Sequence, residues 1–127
     1  MSECDGSRRA VCLVDDDEQL VQLIESVCDE HGWEVHRFSS SSDVPSPDEL
    51  CDPGCVVIDA KGIAGSYDDL VADFNERRIL VPLIVTASEA SLELAVSALR
   101  SGALTFLEKP AQKEDVADAL EEAMRVE

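Results

Sequence analysis

Basic residues are scarce in this chain. Ten lysines and arginines stand against 28 aspartates and glutamates, a formal net charge of −18 over 127 residues. That imbalance argues against direct nucleic-acid binding, which rests on neutralising phosphates with Lys and Arg. It argues equally against an anionic membrane, and it suits a cationic partner surface or a bound cation. Long apolar runs are also missing: none approaches the roughly 20 residues of a membrane span. The N-terminus, Met1-Ser2-Glu3-Cys4-Asp5-Gly6, has no signal-peptide core, so the chain reads as cytoplasmic. The five cysteines are an odd number without a disulfide-framework spacing. Cys51 and Cys55 form a C-x3-C pair, but with only His31 and His36 besides, a zinc site lacks ligands at suitable spacing. Cys12, Cys28 and Cys55 read as small core hydrophobes, and the two histidines as a helix end and a strand face. Internal repeats and a linker to a second domain are absent from the pattern.

What is present is one domain's worth of strongly patterned chain, 45% hydrophobic. Residues 1–9 read as a tail and 10–127 as the domain. Ala10-Val11-Cys12-Leu13-Val14 and Cys55-Val56-Val57-Ile58-Asp59 are apolar without polar alternation. Such runs suit strands buried on both faces of a parallel sheet. Trp33 to Phe38, Ile79 to Val85 and Leu104 to Leu107 supply three more strands. Between them, apolar residues recur at helical spacing over Glu18 to His31, Ser66 to Arg77, Ser91 to Ser101 and Lys113 to Arg125. Gly32 stands where a helix C-cap glycine belongs. The stretch Ser39 to Gly54, with four consecutive serines and three prolines, is the least regular. A short helix near Pro47-Asp48-Glu49-Leu50 is its best candidate, with proline in the first turn. Strands alternating with helices predict right-handed βαβ units: a single doubly wound α/β domain with a five-stranded parallel sheet in the flavodoxin-like order 2-1-3-4-5.

In that order the first and third strands are neighbours, and their carboxyl ends bring Asp15, Asp16 and Asp59 together. Ligands of open α/β sheets gather at this edge. Two unit charges at 4 Å repel by about 4 kcal/mol at an effective dielectric of 20, so clustered carboxylates call for protonation, pairing or a cation. Mg²⁺, which takes oxygen ligands and shares phosphate oxygens, is the natural ion. Thr86 follows the fourth apolar run and Lys109 the fifth. Carboxylates, a hydroxyl and an ammonium form a receptor for a phosphoryl group, with one carboxylate free to attack phosphorus. Asp17 is equally suited to cap the following helix.

These residues resemble the receiver domain of two-component response regulators over about residues 10–126. Leu13-Val14-Asp15-Asp16-Asp17-Glu18 is similar to that family's acidic pocket, and Val57-Ile58-Asp59 to its phospho-acceptor strand. Val85-Thr86-Ala87 and Phe106-Leu107-Glu108-Lys109-Pro110 are similar to its two switch segments. The resemblance implies that Asp15 and Asp16 bind Mg²⁺ with Asp59 and the backbone carbonyl of Lys61. It implies that Asp59 is phosphorylated by a partner sensor histidine kinase or phosphotransfer protein. It further implies a cis Lys109–Pro110 bond, and a switch in which Thr86 moves toward the phosphoryl group and Phe106 turns inward. The fourth helix, fifth strand and fifth helix would then form an output or homodimer face, as in receivers that precede DNA-binding domains. Three features depart from the family pattern: Ile63 where proline is usual, Ala111 where an aromatic is usual, and one extra residue between Thr86 and Lys109. Two other functions remain to be weighed. A haloacid-dehalogenase-like, Mg²⁺-dependent phosphatase would carry a second acid at the position of Lys61. A binding module that has lost phosphorylation would not need the whole set.

Overall fold

The computed structural model describes residues 9–44, 53–63 and 66–125. Five strands form one parallel sheet: β1 (Ala10–Val14), β2 (Glu34–Arg37), β3 (Pro53–Asp59), β4 (Leu83–Ala87) and β5 (Thr105–Glu108), in the order β2-β1-β3-β4-β5. Among the described residues four α-helices cover it: α1 (Glu18–His31), α2 (Tyr67–Glu76), α3 (Leu92–Arg100) and α4 (Lys113–Arg125). Three short 3-10 turns, at Ser41–Asp43, Ala60–Gly62 and Glu89–Ser91, are the remaining elements among the described residues. This is the fold class and strand order that the sequence pattern predicts. The short helix expected near Pro47 and most of the expected N-terminal tail lie outside the described residues. None of the described helices is long and apolar enough to cross a membrane.

The sheet divides two cores. On one face Val11, Leu13, Val57 and Ile84 meet Leu20, Ile24 and Val27 of α1 and Val116, Leu120 and Ala123 of α4. On the other, Cys12, Val14, Val56, Ile58 and Val85 meet Leu70 and Phe74 of α2 and Ala95 and Ala98 of α3. Every residue of β1 is buried, and so is every residue of β4. Alternate residues feed opposite cores, which is why these strands read as unbroken apolar runs. Cys12 and Cys28 are packed as small hydrophobes, and burial pushes each thiol up to about 12. Burial raises Cys55 as well.

Local chemistry sets the ends of the helices. Asp17 caps α1, its carboxylate accepting from the Gln19 and Leu20 amides, and Gly32 closes the helix at φ 75°. Ser66 and Asp69 form a reciprocal capping box at the start of α2. The end of α2 differs from expectation. Arg78 takes a left-handed φ of 62°, Arg78 N–H donates to Asn75 and Ile79 N–H to Phe74. Ile79 therefore finishes a helix cap instead of opening a strand, and Leu80 is 72% exposed. Pro82, lacking an N–H, contributes only its carbonyl, which accepts from Val56. The fourth strand consequently begins at Leu83 and runs through Thr86 to Ala87.

Candidate functional site

All five strands are parallel, so their carboxyl ends lie on one edge. Asp15 directly follows β1, Asp59 ends β3, Thr86 is the penultimate residue of β4 and Lys109 directly follows β5. The register sets Asp59 beside Thr86 and Thr86 beside Leu107. One potential ligand oxygen from each of Asp15, Asp16 and Asp59 lies within 4.8 Å of the others. The sequence expectation of a three-carboxylate cluster is met by this geometry.

The three acids occupy different environments. The Asp15 carboxylate has no exposed side-chain surface, Asp59 is partly buried and Asp16 is exposed. Asp15 is correspondingly well satisfied. Its Oδ1 accepts from the Asp17 amide at 3.0 Å and from Lys109 Nζ at 3.0 Å, and its Oδ2 accepts from the Thr86 hydroxyl at 2.6 Å. Thr86 is fully buried and spends its hydroxyl on this bond. Asp59 Oδ2 accepts from Lys109 at 3.4 Å and Oδ1 from the Lys61 amide at 3.2 Å. Lys109 thus joins the ends of β1, β3 and β5, with Asp17 a further 3.9 Å contact. Burial alone would lower its pKa. The hydrogen bond to Asp15 and the charges of Asp15, Asp59 and Asp17 outweigh that, and hold the ammonium above the ordinary lysine value. The Lys109–Pro110 peptide bond is cis, and the Lys109 amide donates to the Ala87 carbonyl at 2.7 Å, fixing the start of the loop.

Beside the carboxylates opens a cleft of about 710 Å³, lined by Asp15, Asp16 and Asp59, by Lys61 and Gly62, and by Arg37, Phe38 and Ser39 from the end of β2. Lys61 is exposed within the 3-10 turn after Asp59. Phe106 is not part of this cleft. It pairs with Val85 and packs on the α2–α3 core, whereas Thr86, between Val85 and Ala87 of that core, is directed to the other side of the sheet. The two residues of the expected switch therefore sit on adjacent strands but opposite faces. Of the departures from pattern, Ile63 packs on the α2–α3 core and Ala111 on the α1–α4 core.

Two residues to which the sequence pattern assigned no role contribute to this region. Arg37 lines the cleft, and the rule that selected the acids, position at a strand's carboxyl end, would have selected it too. Arg77 clamps the turn after β2: its guanidinium donates to the carbonyls of Val44 at 2.5 Å and Ser41 at 2.9 Å, and it pairs with Asp73 at 2.6 Å. No sequence spacing signals that contact.

The profile of the family described as "Response regulator receiver domain" matches residues 11–121. Among curated proteins, the chain is 28% identical over 119 residues to the transcriptional regulatory protein TdiR of Thauera aromatica, covering 94% of this chain and 52% of that protein. It is 28% identical over 115 residues to the photosynthetic apparatus regulatory protein RegA of Cereibacter sphaeroides, covering 91% and 62%. The chain thus spans about half the length of the curated relatives it matches. Among solved structures, the signal receiver domain of a LuxO repressor protein from Vibrio parahaemolyticus superposes with a TM-score of 0.73 at 24% identity, covering 93% of this chain and 91% of that one. At that identity the likeness concerns the fold.

Proposed function

The chain belongs to the response regulator receiver domain family, and from that premise we propose that it is a phosphorylation-driven switch in which Asp59 accepts a phosphoryl group. The donor is a sensor histidine kinase or a phosphotransfer protein, and the setting is the cytoplasm. One observation carries this reading: Asp59 shares a strand-end cluster with Asp15, Asp16 and the Lys109 ammonium. A receiver is a signalling domain, and its chemistry is confined to gaining and losing its own phosphoryl group.

The donor set fits Mg²⁺. Three carboxylates with oxygens within 4.8 Å of one another are hard ligands of the type this ion prefers, and they leave room for water and phosphate oxygens. Asp15, Asp16, Asp59 and the Lys61 carbonyl would hold it. Bound there, Mg²⁺ offsets the carboxylate charge and that of the phosphoryl oxygens. The chain's own residues do the rest. A carboxylate oxygen of Asp59 attacks phosphorus, the bond from phosphorus to the donor breaks, and the donor nitrogen or oxygen leaves with its electron pair. Lys109, 3.4 Å from Asp59 Oδ2, neutralises the new charge of about −1.5 to −2. Thr86 exchanges its bond to Asp15 for one to a phosphoryl oxygen. Because Thr86 and Phe106 lie on opposite faces, that movement reaches Phe106 through the β4 backbone at Val85 and Ala87. It biases a two-state equilibrium of the α3–β5–α4 surface.

That surface carries a groove beside β5 lined by Phe106 and by Glu108, Asp115, Asp118 and Glu122. Those four side chains are exposed and of one sign. A two-fold homodimer through it would oppose like charges, so a basic partner suits it better than a second copy. The relatives' names as transcriptional regulators support an output in gene control for a polypeptide containing this domain. The dehalogenase-type phosphatase is disfavoured because Lys61 stands where its second acid belongs. A module without phosphorylation is disfavoured by the completeness of the set. The test is incubation with acetyl phosphate and Mg²⁺. One phosphoryl group per chain and no multiple-turnover hydrolysis of phosphate esters supports the switch. Sustained ester turnover, or no incorporation, refutes it.

A further inference from the structure

The cleft beside the three carboxylates is larger than a phosphoryl group requires. Its volume of about 710 Å³ falls in the range of sites that enclose a whole small ligand. The end of β2 supplies its outer wall, Arg37, Phe38 and Ser39. Two cations, Arg37 and Lys61, line the cleft against three carboxylates. Among the described residues Arg37 is engaged only with Glu18, at 3.0 Å, and the two side chains are 44% and 66% exposed. An ion pair that open contributes little. Glu18 therefore holds the guanidinium near the cleft without committing it, and a guanidinium receives phosphate oxygens in the same forked geometry as a carboxylate.

We propose that Arg37 is a donor-recognition residue: it exchanges Glu18 for the phosphoryl oxygens of the incoming donor and raises the rate at which anionic phospho-donors are captured. The inference rests on Asp59 as acceptor. In the step itself a carboxylate oxygen of Asp59 forms the bond to phosphorus. The phosphorus–oxygen bond of an acyl phosphate, or the phosphorus–nitrogen bond of a phosphoramidate, breaks. Acetate leaves with the electron pair, or ammonia leaves once its nitrogen has taken a proton. Arg37 forms no covalent bond and holds two of the phosphoryl oxygens in its fork during approach.

The experiment measures the second-order rate of phosphorylation with acetyl phosphate and with phosphoramidate, alongside Mg²⁺ affinity by calorimetry. Arg37→Ala is expected to slow both donors about three- to tenfold, Arg37→Lys to recover part of the loss, and Glu18→Gln, which frees the guanidinium, to speed both about twofold. Mg²⁺ affinity should stay equal or rise in Arg37→Ala, because a positive charge near the carboxylates is gone. These opposite signs separate recognition from damage, since a distorted cleft would lose rate and metal affinity together. Unchanged rates in Arg37→Ala overturn the inference, as does a parallel fall in Mg²⁺ affinity. Loss with acetyl phosphate alone also overturns it, because Arg37 would then read the acyl group. If the wild type itself takes no phosphoryl group from either donor, the Asp59 reading fails first and the role of Arg37 falls with it.

Discussion

Replacing Lys109 with methionine keeps most of the side-chain stem and removes the ammonium that reaches Asp15 at 3.0 Å and Asp59 at 3.4 Å. At an effective dielectric of 20 those separations correspond to gross attractions of about 5.5 and 5 kcal/mol. Most of that is offset by the cost of desolvating the ions. What survives is set by Asp15, whose side chain has no exposure and would be left with one partner fewer. Breaking a buried pair costs about 3–5 kcal/mol. Lys109 is 13% exposed and Asp59 19%, so solvent takes up part of the loss, and about 2–4 kcal/mol is the expected destabilisation. For a domain of this size that lowers Tm by roughly 10 °C. The same reasoning fixes the effect of metal. A divalent cation supplies the missing positive charge, so Mg²⁺ should stabilise Lys109→Met more than wild type and narrow the gap. Binding at 100 times Kd contributes about 2.7 kcal/mol. Thermal unfolding followed by circular dichroism, with and without Mg²⁺, gives both numbers. A variant as stable as wild type without metal, or a gap that Mg²⁺ leaves untouched, would refute the electrostatic account of the cluster.

Asp16→Asn removes an exposed member of the cluster, so it should raise metal-free stability slightly and weaken Mg²⁺ binding at least tenfold; calorimetry and thermal melts check the two halves separately. Arg78→Gly relieves a left-handed φ of 62° at a non-glycine residue and should raise stability by about 0.5–1 kcal/mol, read from urea midpoints at constant slope. Alkaline pH should destabilise the fold. The buried thiols of Cys12 and Cys28 are raised from 9.0 to about 12, so the native state holds protons that the unfolded chain releases. Their contribution is complete below pH 9.0 and is lost as pH rises toward about 12. Lys109, raised above 10.5, acts in the same direction as pH rises past 10.5. A Tm that stays level from pH 8 to 11 would contradict this. Arg77→Ala frees the Ser41 and Val44 carbonyls, and faster amide exchange confined to residues near 41–44 and the end of α2 is the expected signature.

The elements that sequence pattern described well are those whose ends are set by local chemistry. β1 and α1 have their predicted bounds because an apolar run meets a capping aspartate, and a glycine closes the helix. The strand order followed from βαβ handedness, and the cluster of Asp15, Asp16 and Asp59 followed from the order. The start of β4 was displaced by four residues, because Ile79 is as apolar as a strand residue yet belongs to the cap of α2. Periodicity cannot distinguish those two uses of an isoleucine. Side-chain commitments were less legible still. That Thr86 bonds Asp15, two strands away across β3, depends on the reach of one hydroxyl. The Arg77 clamp depends on where a distant turn passes.

The central claim is that Asp59 is the acceptor, and the direct measurement is mass spectrometry of the protein after acetyl phosphate and Mg²⁺, with the modified residue located by peptide mapping. The expected result is a single phosphoryl adduct on the peptide containing Asp59, absent from Asp59→Asn and from wild type treated with a chelator. An adduct that persists in Asp59→Asn, or that maps to another residue in the wild type, would contradict it.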